Sequence, residues 1–165
     1  MPSSSEPLID ADHADFMQRG VGIGVAACDS HNIPTLARAI GCRVSPDRRS
    51  ITVFISATQA APVLKCVRDN GAIAVVFSEP STHRTVQVKG KDVVVGGLVE
   101  GDQEILADYR TAFMRQVSPL GHAEVLVGTL LTRPSADIVS LSFTPYAAFS
   151  QTPGPKAGEP LQRQP

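Results

Sequence analysis

Tryptophan is absent from this chain of 165 residues, and two tyrosines and six phenylalanines make up its aromatic complement. So thin a supply excludes a platform on which the bases of a single nucleic-acid strand could stack. An excess of one charge is missing too, since fifteen basic and sixteen acidic residues leave a formal net charge of −1. No broad basic footprint exists for a phosphate backbone or an anionic membrane. The longest apolar run, residues 21–28 with its two glycines, falls far short of the roughly 20 residues that span a bilayer as a helix. Cysteines are few: Cys28, Cys42 and Cys66 are widely spaced and form no C-x-x-C pair. They read as reduced core thiols, and with a start, Met1-Pro2-Ser3-Ser4-Ser5, that lacks a basic and then apolar leader, the expectation is a cytoplasmic protein.

What is present suits one globular domain. A hydrophobic content of 42% with 19% charged residues supports a core without disulfide or metal staples. Residues 1–19 are a polar lead with a short helix over 8–19, stopped by Gly20. Residues 20–150 form the domain, and 151–165 form a tail. Four prolines and two glycines in that tail predict a disordered segment or an extended arm on a partner subunit. Within the domain, Val, Ile and Ala-rich segments predict strands over 21–28, 35–44, 50–56, 72–78, 84–95 and 136–144. The turns between the first three are too short for parallel crossovers, so these strands are antiparallel hairpins. Helices are expected over 58–70, ended by Asn70-Gly71; over 102–117, where Ile105, Tyr109, Phe113 and Val117 recur every four residues; and from the Ser118 cap to Arg133, with Val125, Leu126 and Leu130 as its apolar residues. The fold class is α+β: an antiparallel six-stranded barrel with flanking helices.

Sites for chemistry are sparse. Four histidines, His13, His31, His83 and His122, accompany no nucleophile signature, so a hydrolase is unsupported. Asp10, Asp12, His13 and Asp15 read as a solvated helix start, where carboxylates are favoured in any case, rather than a metal site. Gly20, Gly22 and Gly24 alternate with apolar residues inside a strand and lack the strand-turn-helix setting of a dinucleotide fingerprint. In the strand around residues 81–90, alternation puts Thr85, Gln87 and Lys89 on one face and Val86 and Val88 on the other. That face is either the wet side of an ordinary antiparallel strand or a polar rail along a ligand groove.

The run Thr52-Val53-Phe54-Ile55-Ser56 before a helix, the strand Ala72-Ile73-Ala74-Val75-Val76-Phe77 and the pattern Arg84-x-Val86-x-Val88-x-Gly90 resemble the FMN-binding split barrels of the pyridoxamine 5′-phosphate oxidase-like superfamily over residues 20–100. The resemblance implies a homodimer with a flavin at its interface and flavin-dependent redox chemistry on a small organic molecule. It places the family's second-strand basic pair on Arg38 and Arg43. Five residues apart, these lie on opposite faces of a regular strand, so acting together requires a bulge, and Gly41 is where one fits. The family's Tyr-Thr pair falls on Ile55-Ser56, and its ring-contacting glutamine on Thr85, with Gln87 on the same face.

Departures are equally informative. The Arg-Lys phosphate clamp of the oxidases falls on Ala61-Pro62, which leaves Lys65 or Arg68 as substitutes, and the C-terminal Trp and Arg features are missing. A true pyridoxamine phosphate oxidase is not expected. Arg38, Arg43, Ser56, Thr85 and Gln87 are the expected FMN contacts, with no catalytic acid or base. Alternatives are a deazaflavin in place of FMN, a carrier or sensor of flavin or of haem ligated by His31, His83 or His122, and a dimeric interaction domain without ligand.

Overall fold

A computed structural model describes residues 6–163. The chain runs α1 (Ala11–Gln18), β1 (Gly22–Cys28), β2 (Pro34–Val44), β3 (Ile51–Ser56), α2 (Ala61–Asn70), β4 (Ile73–Ser78), β5 (Thr85–Gly90), β6 (Val94–Gly96), α3 (Asp102–Val117), α4 (Glu124–Leu131), β7 (Ile138–Phe143) and β8 (Ala147–Ser150). Every strand pairing is antiparallel, in the order β6-β7-β3-β2-β1-β4-β5-β8.

Eight segments replace the six expected strands because the run expected over 84–95 breaks into β5 and β6, and because β8 follows beyond the last expected strand, 136–144. β5 passes into β6 across three residues, and β7 into β8 likewise. Val86 faces Ser150 and Val94 faces Ser142, so equal steps along the two runs keep one register through the break. The strands at the two ends of the order therefore belong to one continuous ribbon, which closes the sheet into a split barrel. At the break, Gly90 lies against Phe143, where a side chain would overlap the ring.

The interior follows from alternation. Ile23 and Val25 of β1, Val75 and Phe77 of β4, and Val86 and Val88 of β5 point inward and are buried, while their neighbours in sequence remain half-exposed. β3 is buried along its whole length. β2 bends between Ala39, which faces Ile55, and Cys42, which faces Val53; one extra residue on β2 there is the bulge anticipated at Gly41. Beyond the bulge β2 passes under α3, and a Cβ on Gly41 would come within 2.9 Å of Leu106.

α2 and α3 end where the sequence says they should. α2 opens with Pro62 in its first turn and stops at Gly71, whose φ of +70° lets its N–H donate to the Val67 carbonyl. In α1 the Asp10 carboxylate caps the helix by accepting the His13 N–H at 2.8 Å and lies the same distance from the His13 ring Nδ1. α3 buries Leu106, Tyr109, Phe113 and Val117, and the buried Tyr109 hydroxyl donates to the Val21 carbonyl at 2.7 Å. The helix expected from Ser118 does not run through. Ser118–Leu120 is a single 3-10 turn ended by Gly121 at φ +88°, and α4 starts afresh at Glu124. Val127 and Leu131 are its buried residues, while Val125, Leu126 and Leu130 face outward. Among the described residues no helix is long and apolar enough to cross a membrane.

Residues 151–163 of the tail lie on their own domain. Phe149 bridges to Pro160, Gly158 donates to the Ser150 carbonyl, and Leu161 donates to the Ala148 carbonyl while packing against the core. This covers the free edge of β8, which would otherwise present unpaired backbone groups.

Candidate functional site

β1 alternates valine, isoleucine and alanine inside with Gly22, Gly24 and Ala26 outside. Opposed residues of antiparallel strands share a face, so the outer surface can be read row by row. Gly24 faces Arg38 on one side and Val76 on the other, and Val76 faces Gln87, which faces Phe149. Gly22, Ser78 and Thr85 form the row before it, and Leu36, Ala26, Ala74, Lys89 and Ala147 the row after. Small residues in the middle strands with larger ones at both sides make a trough. Its Arg38 end is an open groove of about 570 Å³ lined by Gly22, Gly24, Leu36, Arg38, Val76 and Ser78. A Cβ on Gly24 would meet only the tip of Leu36, at 3.8 Å. The glycine leaves the floor low without being needed for packing.

Five residues were singled out by the sequence, and the structure divides them. Arg38, Thr85 and Gln87 share the trough. Arg38 is exposed and makes no ion pair among the described residues, and its guanidinium sits 5.7 Å from the Phe113 ring centre. Gln87, three strand spacings or about 14 Å from Arg38, is half-buried with no hydrogen bond to its amide among the described residues. Thr85 is partly engaged, donating to the His83 carbonyl at 3.0 Å and lying 3.0 Å from the Ser78 hydroxyl.

Arg43 and Ser56 are occupied elsewhere. The bulge does turn Arg43 toward α3, but there its Nε donates to Asp102 at 3.0 Å. Asp102 is 1% exposed and also accepts the Val99 N–H, so its charge is compensated by a guanidinium and a backbone donor. Ser56 is buried and its hydroxyl donates to Asp137. Asp137 also accepts the Thr58 N–H at 3.0 Å and the Thr58 hydroxyl at 2.6 Å, tying the end of β3 to the start of β7. The Ser56 hydroxyl first, then the two Thr58 donors, hold the Asp137 carboxyl below the usual aspartate range. A depressed carboxylate stabilises the fold fully above its unfolded pKa and loses that contribution as pH falls through the folded value. Asp137→Asn should therefore flatten the fall of the melting temperature on acidification below about pH 4; an unchanged profile would separate this knot from acid stability.

Other candidates lie apart. Lys65 is exposed and pairs with Asp69 on its own helix at 2.9 Å, and with Arg68 it lines a separate hollow on α2. His31 is exposed beside the β1–β2 turn, and His83 sits in a turn at φ +62°. His122 reaches an apolar cavity of about 220 Å³ shared with Arg38, Phe113, Val117, Val127 and Leu131, below the roughly 300 Å³ at which ligand sites begin. Cys42 and Cys66 are buried, and burial pushes the Cys42 thiol far above its usual range. Cys28 is only half-buried and faces the trough, which corrects its reading as a core thiol. Lys89 belonged to the polar face by alternation, but nothing local marked it as a cation that forms no ion pair among the described residues.

The residues fit a flavin in part. Among the described residues a low floor, a guanidinium without an ion pair and an amide without a hydrogen bond are present in one row, whereas the place that the resemblance gives to the oxidases' Arg-Lys clamp holds Ala61-Pro62.

No protein-family model and no curated protein sequence matches this chain. Its structure is similar to HupZ of Group A Streptococcus, with 15% identity and a TM-score of 0.54 over 91% of this chain and 99% of that one. An F420 reductase matches with 15% identity and a TM-score of 0.54, covering 85% of this chain and 98% of that one. A Lactobacillus delbrueckii protein, described as a candidate pyridoxamine 5′-phosphate oxidase, matches with 10% identity and a TM-score of 0.54 over 90% and 97%. With its hairpin order, its central bulge and the two broken runs that close it, the chain has the split-barrel fold of the pyridoxamine 5′-phosphate oxidase-like proteins.

Proposed function

We propose that this protein binds FMN in the trough and uses it for redox chemistry on a small organic molecule. The observation that carries this reading is the row Arg38, Gly24, Val76, Gln87: among the described residues, a cation without an ion pair and an amide without a hydrogen bond stand on either side of a low floor made by Gly24 and Val76. Arg38 holds the phosphate by charge-assisted hydrogen bonds. Gln87 and Thr85 meet the polar edge of the ring, an amide and a hydroxyl that can each donate or accept. Val76 and Leu36 supply apolar contact and keep water from the floor. The cofactor supplies hydride transfer, and this chain supplies its orientation and hydrogen bonds.

A second copy of the chain completes the groove. Leu36, which lines the groove, is 76% exposed, and Ile33, just before β2, is 59% exposed; uncovered apolar groups of that size mark a surface that another chain buries. A second reading, a deazaflavin in place of FMN, is favoured by the same absent clamp, and one structural neighbour is an F420 reductase.

Purified protein titrated with FMN tests the reading. Saturable quenching of flavin fluorescence by a dimer on a sizing column is the expected result. Preference for F420 over FMN would move the assignment to the deazaflavin, a Soret band in the isolated protein would move it to haem, and indifference to all three would overturn it.

A further inference from the structure

The charges of this chain balance overall, yet three of its arginines meet at one place. Arg48 and Arg49 from the β2–β3 turn, Arg163 from the tail, Thr144 from the β7–β8 connection, and Glu6 and Leu8 from the lead line a cavity of about 280 Å³. Three guanidiniums face one carboxylate there. A guanidinium does not deprotonate in a protein, so the repulsion among them is relieved by an anion. Two further carboxylates stand close to the cluster, and both are engaged. Asp47 accepts the Ser45 hydroxyl at 2.6 Å and the Arg49 N–H at 3.1 Å, and Asp10 caps α1. Among the described residues neither Arg48 nor Arg163 forms an ion pair.

The backbone at Arg48 is a separate observation. Its φ is +59°, and its N–H closes the turn by donating to the Ser45 carbonyl at 2.8 Å. A left-handed place in such a turn ordinarily falls to glycine, which has no Cβ to strain. A bulky side chain held there points to a use for that side chain. One hydrogen bond from the guanidinium to the Ile9 carbonyl, at 3.3 Å, leaves its other donors for a ligand.

We infer that this cavity is an anion site separate from the trough, and that its ligand is a phosphate group, free or carried as a monoester on a small molecule. A phosphate monoester brings a charge of about −1.5 to −2 and three acceptor oxygens, which matches three guanidiniums set against one carboxylate. Planar guanidinium forks address such oxygens in pairs, and Thr144 adds a hydroxyl. The volume lies below that of an ordinary cofactor site and suits a phosphate with a few attached atoms. No lining residue is shared with the trough, so the site stands whether or not a flavin binds.

Calorimetric titration of the full chain with ribose 5-phosphate and with inorganic phosphate, at an ionic strength held constant with sodium chloride, tests the site. Saturable binding is expected, weakened on the order of tenfold in Arg48→Gly and in Arg163→Gln and unchanged within about twofold in Arg38→Ala. Arg48→Gly keeps the turn, because glycine accepts the left-handed backbone, and Arg163 is exposed, so both variants leave the barrel intact. Tighter binding of ribose 5-phosphate would support the site with an ester as its ligand, and equal or tighter binding of inorganic phosphate would support it with the free ion. Absence of binding by both probes at millimolar concentration, unchanged affinity in either arginine variant, or loss of binding in Arg38→Ala would overturn it.

Discussion

Replacing Gly90 by alanine is expected to destabilise the protein by about 2 kcal/mol or more. The added methyl would fall 2.8 Å from Phe143 Cγ and 3.0 Å from Phe143 Cβ. Phe143 is 2% exposed, so the obstacle is a buried ring near its backbone and not the free end of a flexible chain. Overpacking of this kind costs up to about 3 kcal/mol. A strand glycine exchanged for alanine regains about 0.4–1 kcal/mol from the unfolded chain, which the clash outweighs. Urea midpoints measure the difference. Gly97→Ala is the control, because a Cβ there meets nothing within 4 Å, and it should be neutral or slightly stabilising. Adding Phe143→Leu to Gly90→Ala should recover part of the loss, so that the two changes cost less together than separately. Full stability of Gly90→Ala would mean that the break between the two ribbon halves is looser than described.

Arg38→Ala is expected to weaken FMN binding by about 1.5–3 kcal/mol, the value of a hydrogen bond to a charged group, which is roughly 10- to 150-fold in Kd. Arg38→Lys should recover only part, since an ammonium keeps the charge but loses the planar pair of donors. Arg43→Ala supplies the contrast. Its guanidinium is committed to Asp102, so its removal should lower the melting temperature and move FMN affinity less than Arg38→Ala. Calorimetric titration and thermal melts on the same three variants separate these effects. An Arg38→Ala protein that binds FMN as well as the parent, beside an Arg43→Ala protein that does not, would transfer the phosphate to the far side of the bulge.

The bulge shows how far one chain of residues could be read. Arg38 and Arg43 are of opposite parity, so the joint role that the resemblance implies for them required a bulge, with Gly41 as the place for it; the strand does shift register between Ala39 and Cys42. What the bend delivers was not legible. It turns both arginines toward α3, where one meets the Phe113 ring and the other a buried carboxylate, and Asp102 lies 59 residues from Arg43. Ser56 followed the same course. Its place at the end of β3 was read from the sequence, but its partner Asp137 is 81 residues away.

Local pattern alone determined the inward and outward faces of β1, β4 and β5, the stop of α2 at Gly71, the apolar stripe of α3 and the small-residue floor of the trough. Each depends on the period of a strand or helix, or on the steric freedom of one glycine, and these properties reside in neighbouring residues. Tertiary structure decided the closure of the two ribbons around Gly90 and Phe143, the fold-back of the tail onto β8, the interruption before α4, and which cations form ion pairs. Those outcomes depend on which distant segments come into contact. Among the described residues Arg38 and Lys89 form no ion pair, and each stands against an aromatic ring from a distant segment, Phe113 and Phe149.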